Sequence, residues 1–450
     1  MKKNSRIFVL CYPHLGTLDN WMPIINSVNN EENHLRFTLI VPNPIIIRSF
    51  HGDNAVIKIA NRIFDTILIH AYDGTWIKHE SIFDSMKWYQ KNRVILRLFD
   101  IMKRLIKKRI FSYLSMFPFV LLRNIIYKKE CKLENKELNK IVSQKDVLFY
   151  DIATEGNTNP EISSMIGLFE NNNKYSLPHA VTTSGIEWKS TRLINIKSKD
   201  NIRAYVHAKF QVKRYEGSYG IDTNKIHVIG VPRHDRKWIE TIQDESPKLP
   251  DFFNNNNTIV ILSSHINASA PKESFLSKVE AVTNIKKIFI DKLGMKVAIK
   301  LHPNEKQEKI FADKSDKIYE DVLGLNNYGV TWVYSDLHVL ALIKGKRLAI
   351  SLFTGVIFDV IAMGIPCVEY VDLSFKPKNT EKKLTEFVKH GFIEGVSNYH
   401  EINTYAEKWG VGADQISKVS INAYKKYFPI FDESSRVVAT DILNENKIIS

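Results

Sequence analysis

The residues best suited to chemistry stand where three apolar runs stop in the second half of the chain. They lie in the segments GVPRHD (Gly230–Asp235), KLHPNE (Lys300–Glu305) and SLFTGVIFDVIAMGIPCVEY (Ser351–Tyr370). Each segment places hydroxyl, cationic or imidazole groups beside an apolar run of strand character. In an open α/β sheet, ligands bind outside the carboxyl ends of parallel strands. The pattern therefore predicts a site for a nucleotide-activated donor, and hence a transferase.

The histidine of KLHPNE is the sharpest of these signals. His302 ends the apolar run Lys296–Leu301, and Pro303 stops the strand because proline has no backbone N–H. The imidazole can donate a hydrogen bond to a phosphate oxygen, and as imidazolium it can offset charge on a leaving group. We predict His302 to be both a donor contact and a catalytic group. A turn histidine satisfied by backbone is the structural alternative.

The segment SLFTG predicts an anion site between a strand and a helix. Ser351, Thr354 and Gly355 precede or open a predicted helix over Gly355–Met363. The first N–H groups of a helix are unpaired and carry positive partial charge, so they attract phosphate. These three residues are predicted donor contacts. Thr354 could instead serve as an ordinary helix N-cap.

Three further charged residues are predicted to face the donor. Arg233 carries a planar guanidinium suited to phosphate, and Asp235 could pair with it and hold it in place. Asp359 lies inside the predicted helix, and Glu369 ends the last predicted strand. Either acid could hold a ligand hydroxyl, or Asp359 could merely satisfy neighbouring backbone.

The first half of the chain is predicted to supply a general base and the acceptor site. Histidine suits removal of a proton from an attacking hydroxyl near neutral pH. His179, after a short apolar run, is the first choice of base and Glu155 the second, with Asp151 a further candidate. The first βα turn adds three predicted acceptor-binding residues, His14, Gly16 and Asp19.

Alternating strands and helices position these residues. The alternation predicts an α/β protein of two Rossmann-like, doubly wound domains facing a cleft. The predicted strands of the first half are Arg6–Tyr12, Leu35–Val41, Phe64–Ile69, Val147–Tyr150, Lys174–Ala180, Ala204–His207 and Ile226–Gly230. Those of the second half are Ile259–Ser263, Lys296–Leu301, Val330–Tyr334, Arg347–Leu352 and Cys367–Tyr370.

The break between the halves contains two prolines and four consecutive asparagines, in the stretch Thr241–Thr258. A chain of 450 residues is also too long for one ordinary core. We expect an acceptor domain over 1–240, a linker over 241–257, a nucleotide-donor domain over 258–430 and a tail over 431–450.

Charge is concentrated in one segment. The net charge is +14, and residues 91–132 contain 12 Lys or Arg against Asp100 and Glu130, a net of +10. The same segment is rich in apolar residues, and its uncharged run of 13 residues, Ile110–Leu122, is too short to span a bilayer. The segment could lie on an anionic membrane surface, or pack on its own domain with a solvated basic face. Nucleic-acid binding has no recognised motif to support it.

Several classes of site are not predicted. The cysteines, Cys11, Cys131 and Cys367, are scattered, which fits a reducing cytosol and opposes a zinc site or a disulfide framework. The sequence has no Asp-x-Asp, Walker loop or G-x-G-x-x-G. We therefore expect no metal and no cofactor, and neither an ATPase nor a dehydrogenase. The opening MKKNSRIFVLCY has no apolar core followed by a cleavage site, so no signal peptide is expected.

The succession G-x-P-R-x-D, K-L-H-P, S-x-x-T-x-x-x-x-D and G-x-P before an apolar E-Y resembles the CDP-glycerol glycerophosphotransferase and capsule-polysaccharide biosynthesis families. It also resembles the His-Pro element of bacterial sialyl- and Kdo-transferases. The resemblance covers roughly residues 204–371, and more loosely 6–41. It implies a GT-B fold and metal-independent, inverting transfer, with His302 and Ser351 or Thr354 on the donor phosphate. Such enzymes build surface polysaccharides (capsule, O-antigen or lipooligosaccharide) at the cytoplasmic membrane face.

One departure from that pattern bears on the donor. This chain has Ser-Leu-Phe-Thr-Gly where the glycerophosphotransferases carry Thr-Asp-Tyr-Ser-Ser, which favours a sugar donor, with CMP or another nucleotide. Three alternatives stay open: a CDP-polyol phosphotransferase, a sugar-nucleotide 2-epimerase, and a non-catalytic adaptor built around residues 91–132.

Overall fold

The architecture is that of a computed structural model. It describes residues 5–13, 15–32, 34–50, 54–70, 76–107, 132–133, 142–155, 160–181, 186, 194, 196, 201–253, 257–264, 272–302, 305, 317–324, 331–371, 385–429 and 433–446.

Within these residues the first domain is built on a sheet with the strand order β5-β4-β3-β2-β1-β6-β7-β8-β9. The seven strands β3, β2, β1, β6, β7, β8 and β9 are parallel, and β4 and β5 add an antiparallel edge beside β3. The strands are β1 Arg6–Leu10, β2 Arg36–Val41, β3 Phe64–His70, β4 Trp76–His79, β5 Lys132–Leu133, β6 Val147–Tyr150, β7 Asn173–Ser176, β8 Ile202–Val206 and β9 Ile226–Val228.

The second domain has an all-parallel sheet in the order β12-β11-β10-β13-β14-β15. Its strands are β10 Thr258–Leu262, β11 Lys296–Lys300, β12 Trp332–Ser335, β13 Leu348–Ser351, β14 Cys367–Tyr370 and β15 Glu394–Val396. The central residues of β10, β11, β13 and β14 are fully buried, as expected for strands covered on both faces.

Helices cover both sheets. Those of the first domain are α1 Leu15–Glu31, α2 Ala55–Ile63, α3 Ile82–Lys107, α4 Pro160–Gly167, α5 Lys209–Tyr219 and α6 Arg236–Glu245. Those that follow are α7 Lys272–Ile285, α8 Lys317–Leu323, α9 Val339–Leu342, α10 Ile357–Ala362, α11 Glu386–Lys389, α12 Tyr399–Tyr427 and α13 Ser434–Glu445. A π-helical turn, Lys286–Lys292, continues α7.

Chain reversals fix where ligands can bind. In the first sheet the chain runs outward from β1 to β5 and then restarts at β6, on the other side of β1. In the second sheet it runs from β10 to β12 and restarts at β13. A crevice opens at the carboxyl ends of the strands wherever the order reverses in this way. The residues after β1 and β6, and those after β10 and β13, therefore lie at the two predicted binding edges, and His302 follows the neighbouring strand β11.

The segment expected to be a tail, 431–450, contains a helix in its described residues. Ser434–Glu445 is a helix, α13, that returns to the first domain and packs on α1. Arg203 binds Asp441 of this helix through a hydrogen bond of 2.6 Å from Nη1 to Oδ1. Asp235 accepts hydrogen bonds from Ser434 N (3.1 Å) and Ser435 N (2.7 Å) at the start of the helix. The Asp235 carboxylate thus binds the positive end of the α13 dipole. It does not form the pair with Arg233 that the sequence suggested.

The predicted linker over 241–257 is also shorter than expected, because α6 continues to Glu245. Its far end packs on the second domain, where Lys296 Nζ donates to Phe252 O at 3.0 Å. The basic segment 91–132 lies mostly outside the described residues, apart from the end of α3 and the first residue of β5. Among the described helices, none has the length and apolar character needed to cross a membrane.

Candidate active site between the two domains

Arg233 ties the two domains together. It lies after β9, and its Nε donates to Asp359 Oδ1 on α10 of the second domain, at 2.8 Å. Nη2 donates to the other oxygen of Asp359, and Nη1 donates to Asp19 Oδ2 on α1, at 2.9 Å. The Arg233 side chain is only 11% exposed and that of Asp359 only 2%. One guanidinium therefore neutralises two carboxylates on helices of different domains.

Two histidines complete this interdomain network. His234 Nε2 lies 2.8 Å from Asp359 Oδ1, and its Nδ1 lies 2.7 Å from the Tyr424 hydroxyl of α12. His338 Nε2, from the second domain, lies 3.1 Å from Asp19 Oδ1. His234 lies beside Arg233 in the segment GVPRHD, but the sequence analysis gave neither histidine a role.

The charges stabilise one another. Burial by itself raises the pKa of Asp19, but Arg233 and His338 lower it by more. The pKa of Asp19 therefore lies well below its ordinary range. The pKa of Asp359 is lowered in the same way, since Arg233 and His234 outweigh its burial. Burial lowers the pKa of His234 despite its contact with Asp359. Both carboxylates stay ionised, which a buried group does only beside a partner charge.

The network changes the interpretation of three predicted site residues. The sequence predicts Arg233 and Asp359 as donor contacts and Asp19 as an acceptor contact. In the fold these side chains bind one another, from positions 214 and 126 residues apart in the chain. Substrate contact by any of them stays a prediction.

A second polar pair lies at the carboxyl edge of the first sheet. His179 Nδ1 lies 2.5 Å from Asp151 Oδ2, and the same oxygen accepts the backbone N–H of His179 at 3.0 Å. Asp151 Oδ1 accepts Ala153 N at 2.9 Å. Asp151 is buried, whereas a third of the His179 side chain is exposed. A carboxylate on Nδ1 fixes the ring and leaves Nε2 as the nitrogen that can accept a proton.

Helix α1 connects this pair to the interdomain network. Asn20, the neighbour of Asp19, donates from Nδ2 to His179 O at 2.8 Å and to Gly16 O at 2.9 Å. One turn of α1 thus holds both the His179 loop and the Arg233 network. Gly16 is part of this helix. Its predicted contact with the acceptor stays a prediction.

The His179 ring borders a cavity of about 260 Å³ in the first domain. The cavity is lined by Asp151, Ala153, Pro178, His179, Ala180, Gln211, Arg214, Tyr215 and Tyr219. Glu155, the second predicted base, is not among them. It is buried and accepts a hydrogen bond from the Tyr150 hydroxyl at 3.3 Å. The other predicted first-domain residue, His14, lies outside the described residues.

The turn at His302 is held by a buried acid. The His302 N–H donates to Glu305 Oε2 at 2.6 Å, and the His302 carbonyl accepts the Glu305 N–H at 2.9 Å. Glu305 is fully buried, forms an ion pair with the buried Lys278 of α7, and accepts the Ser263 hydroxyl at 2.7 Å. The sequence analysis missed Glu305 and Lys278. The acid three residues after the histidine was the available signal.

The loop after β13, residues 351–356, is called the donor loop after its predicted role, and its structure differs from the predicted one. Ser351 is buried and its Oγ accepts the Thr354 N–H at 3.2 Å, so these residues form a turn. Helix α10 starts at Ile357 and its N-cap position is Val356, so Thr354 is not the cap. Gly355 lies against the first domain, where an added Cβ would be 3.6 Å from Val181 O. The donor loop and the His179 loop therefore meet across the cleft.

Phe353, in the same loop, has a φ of 62° and is 47% exposed. A left-handed backbone at such a residue costs about 1–2 kcal/mol.

Glu369 ends β14 beneath the surface. Its Oε2 accepts the Thr385 hydroxyl, and Oε1 has no hydrogen-bond partner in the part of the chain that the structure describes. Burial raises its pKa to about 7, against the lowering effect of Thr385. Its predicted role as a donor contact stays a prediction.

His207 is a further histidine that the sequence analysis passed over. It directly follows β8, is fully buried, and neither ring nitrogen has a partner within the described residues. Burial lowers its pKa to about 3, and the nearby His234, Arg233 and His179 lower it as well. The ring is therefore neutral, and residues of both the His179 pair and the Arg233 network act on it electrostatically. Within the described residues there is no group of three or more His, Cys, Asp or Glu able to hold a metal ion.

Comparison with known proteins identifies the fold. No protein-family model matches the chain, and no curated protein matches it. Among solved structures, the wall teichoic acid polymerase TagF superposes with a TM-score of 0.55 at 11% identity, over 100% of this chain and 90% of that one. MnaA of S. aureus, solved with UDP, gives 0.53 at 11% identity over 99% and 98%. The fold is of the GT-B type.

A further GT-B neighbour is a Listeria monocytogenes protein described as a candidate UDP-N-acetylglucosamine 2-epimerase. It gives a TM-score of 0.52 at 10% identity, over 99% of this chain and 98% of that one. These matches confirm the predicted class of two Rossmann-like domains facing a cleft. At such identity they establish the fold and nothing finer.

The interdomain network predicts a large loss of stability for Arg233→Gln. The variant leaves Asp19 and Asp359 buried without their cation, and breaking a buried ion pair costs about 3–5 kcal/mol. Urea denaturation measures the change. The matched control is Arg236→Gln three residues on. Its 86%-exposed side chain pairs with Glu240 alone among the described residues, so the substitution should change the stability little. Stability of Arg233→Gln close to that of the parent would contradict the role of the network.

Because His207 is buried in its neutral form, we predict a specific pH dependence of the free energy of unfolding. The unfolded imidazole binds a proton below a pKa of about 6.5, whereas the folded ring, with a pKa of about 3, does not. Stability therefore falls as the pH drops below about 6.5, by up to about 2 kcal/mol at pH 5. The free energy of unfolding, measured by denaturation at pH 7 and pH 5, should therefore fall less between these two pH values in His207→Leu than in the parent. The exposed His400→Leu is the control, and an unchanged pH dependence in His207→Leu would refute the assignment.

Proposed function

We propose that the chain is a metal-independent, inverting glycosyltransferase that moves a sugar from a nucleotide-activated donor, a CMP-sugar or another NDP-sugar, to an acceptor hydroxyl. The Asp151–His179 pair carries this proposal. It is a histidine oriented by a buried carboxylate, exposed at a cavity, on a loop adjoining the donor loop of the opposite domain. A general base for an attacking hydroxyl needs this arrangement.

In the proposed reaction His179 Nε2 takes the proton of the acceptor hydroxyl. The oxygen forms a bond to the anomeric carbon while the bond from that carbon to the donor phosphate oxygen breaks. The electron pair leaves with the nucleotide, and one such in-line displacement inverts the anomeric configuration. Asp151 stabilises the imidazolium that forms.

The departing phosphate is met by groups of the second domain. His302 follows β11 and Ser351 ends β13, and these two strands flank β10 at the chain reversal of the sheet. Imidazolium and backbone N–H donors placed there offset the developing charge. Since the sequence has no Asp-x-Asp at a strand end, we propose that these groups act without a cation. Turnover that persists in EDTA would support this, and complete loss of turnover would oppose it.

We further propose a glycan or lipid-linked acceptor and a site of action at the inner face of a bacterial cell membrane, in the synthesis of a surface polysaccharide. The support is the net charge of +10 over residues 91–132, interleaved with apolar residues. Such segments bind anionic lipid surfaces. Co-sedimentation of the full chain with anionic but not with neutral vesicles would test this location.

Two related activities on the same fold are distinguished by simple assays. A phosphotransferase would consume CDP-glycerol and attack phosphorus, as suggested by the TagF polymerase among the neighbours. An epimerase would convert the donor with no acceptor present, as suggested by the Listeria monocytogenes protein described as a candidate UDP-N-acetylglucosamine 2-epimerase. A panel of CMP-, UDP-, GDP- and CDP-linked donors, with and without acceptor, separates the three.

His179→Gln and Asp151→Asn test the proposed base. Loss of a general base lowers turnover by about 10²–10⁴-fold. Asp151→Asn should lower turnover by most of the same factor, because a neutral amide neither fixes the required tautomer of His179 nor stabilises its imidazolium. Steady-state kinetics measures the effect, with circular dichroism to verify folding. The exposed His34→Gln is the matched control. Turnover of His179→Gln within threefold of the parent would remove His179 from the mechanism.

His302→Ala tests the phosphate contact. The Glu305–Lys278 pair and the backbone bonds of the turn do not use the imidazole, so the variant should keep its melting temperature while turnover falls strongly. Glu305→Gln is the contrasting variant, because it leaves Lys278 buried without its counter-charge and should destabilise the fold. Near-normal turnover of a folded His302→Ala would reject the donor-site assignment.

A further inference from the structure

The cavity beside His179 contains one permanently cationic side chain. Arg214 of α5 lines it together with Gln211, Tyr215 and Tyr219 of the same helix. An arginine side chain cannot lose its charge in a protein, and its planar fork of donors matches carboxylate and phosphate oxygens. The proposed reaction, as derived above, has no task for this cation.

The Arg214 side chain is oriented by contacts with Tyr219. Its Nη2 donates to the Tyr219 hydroxyl at 3.3 Å, and its guanidinium carbon lies 6.0 Å from the centre of that ring. Burial raises the pKa of Tyr219 and of Tyr215, so both hydroxyls stay protonated at neutral pH. A guanidinium ordered in advance loses less conformational entropy when it binds a ligand.

The charge of the acid that also lines the cavity is partly offset by its own donors. Asp151 is buried and accepts hydrogen bonds from the His179 ring, His179 N and Ala153 N. These donors reduce the charge that the carboxylate presents to the cavity, where it still raises the pKa of Tyr215 and Tyr219. Among the described lining residues, the permanent positive charge is that of Arg214, and it is joined by the imidazolium that forms at His179 during the proposed transfer.

We propose that Arg214 selects an acceptor whose headgroup carries an oxyanion, either the carboxylate of an acidic sugar or a phosphate ester. The inference rests on the proposed function, since it places the acceptor hydroxyl at His179. At about 260 Å³ the cavity is smaller than the 300–1,000 Å³ usual for drug-sized ligands. It therefore suits one charged ring or polyol phosphate, with the remaining acceptor outside. Arg214 binds the anion while His179 takes the proton of a neighbouring hydroxyl.

The experiment compares the parent chain with Arg214→Gln, Arg214→Lys and the control Lys213→Gln. Lys213 is the preceding residue on α5, is exposed and does not line the cavity, so it removes the same charge from the same helix. Glycerol 3-phosphate, glucuronate and uncharged methyl glucoside are titrated at constant ionic strength. Dissociation constants come from ligand-dependent melting. The two anions distinguish a phosphate from a carboxylate headgroup.

The expected result is that one or both anions bind the parent and Lys213→Gln, and that affinity falls at least tenfold in Arg214→Gln. Arg214→Lys, which keeps the charge without the fork, should recover part of it. In transfer assays Arg214→Gln should raise the acceptor KM about tenfold, whereas Lys213→Gln should leave it unchanged.

Equal binding of methyl glucoside and the anions, or unchanged anion affinity in a folded Arg214→Gln, would overturn the inference. Transfer to uncharged acceptors, insensitive to Arg214, would overturn it while leaving the glycosyltransferase proposal standing. Anion binding that depends on Arg214, in a protein with no transferase activity, would instead reject the proposed function and retain the anion site.

Discussion

The interaction on which the rest of the structure depends is the one between Arg233 and two carboxylates from different domains. Asp19 belongs to the first helix of the first domain, and Asp359 to a six-residue helix of the second. A guanidinium can bind both at once because its donors form a rigid fork. Burial makes the arrangement strict, since removal of one charge leaves the others without compensation. The relative position of the domains is thereby coupled to three side chains.

That position decides whether the site exists. The His179 loop and the proposed donor loop belong to different sheets, and they adjoin where Gly355 approaches Val181. Asn20, one residue after Asp19, also binds the backbone of His179. A shift of α1 would therefore disturb the proposed base and the domain contact together. His207, whose ring has no hydrogen-bond partner among the described residues, is affected electrostatically by residues of both groups, so its neutrality also belongs to this arrangement.

Each half of the site has its own buried support. In the first domain Asp151 fixes the His179 ring, and in the second Glu305 fixes the backbone of His302. Both supports are acids placed below the surface, with Lys278 offsetting the charge of Glu305. The same logic extends to the end of the chain, where Asp235 holds the start of α13 against the first domain. Polar groups of this kind orient reactive residues because each has little conformational freedom.

The sequence by itself determined the elements and the edges at which chemistry could occur. Apolar runs interrupted by turns predicted most strands to within a few residues, because buried parallel strands are locally apolar. It also placed His302, Ser351 and His179 at strand ends. It did not determine which side chains meet. The pairing of Arg233 with Asp19 and Asp359, of His179 with Asp151, and of Glu305 with Lys278 depends on contacts between distant segments. No local pattern encodes such contacts, and only the tertiary structure decided them.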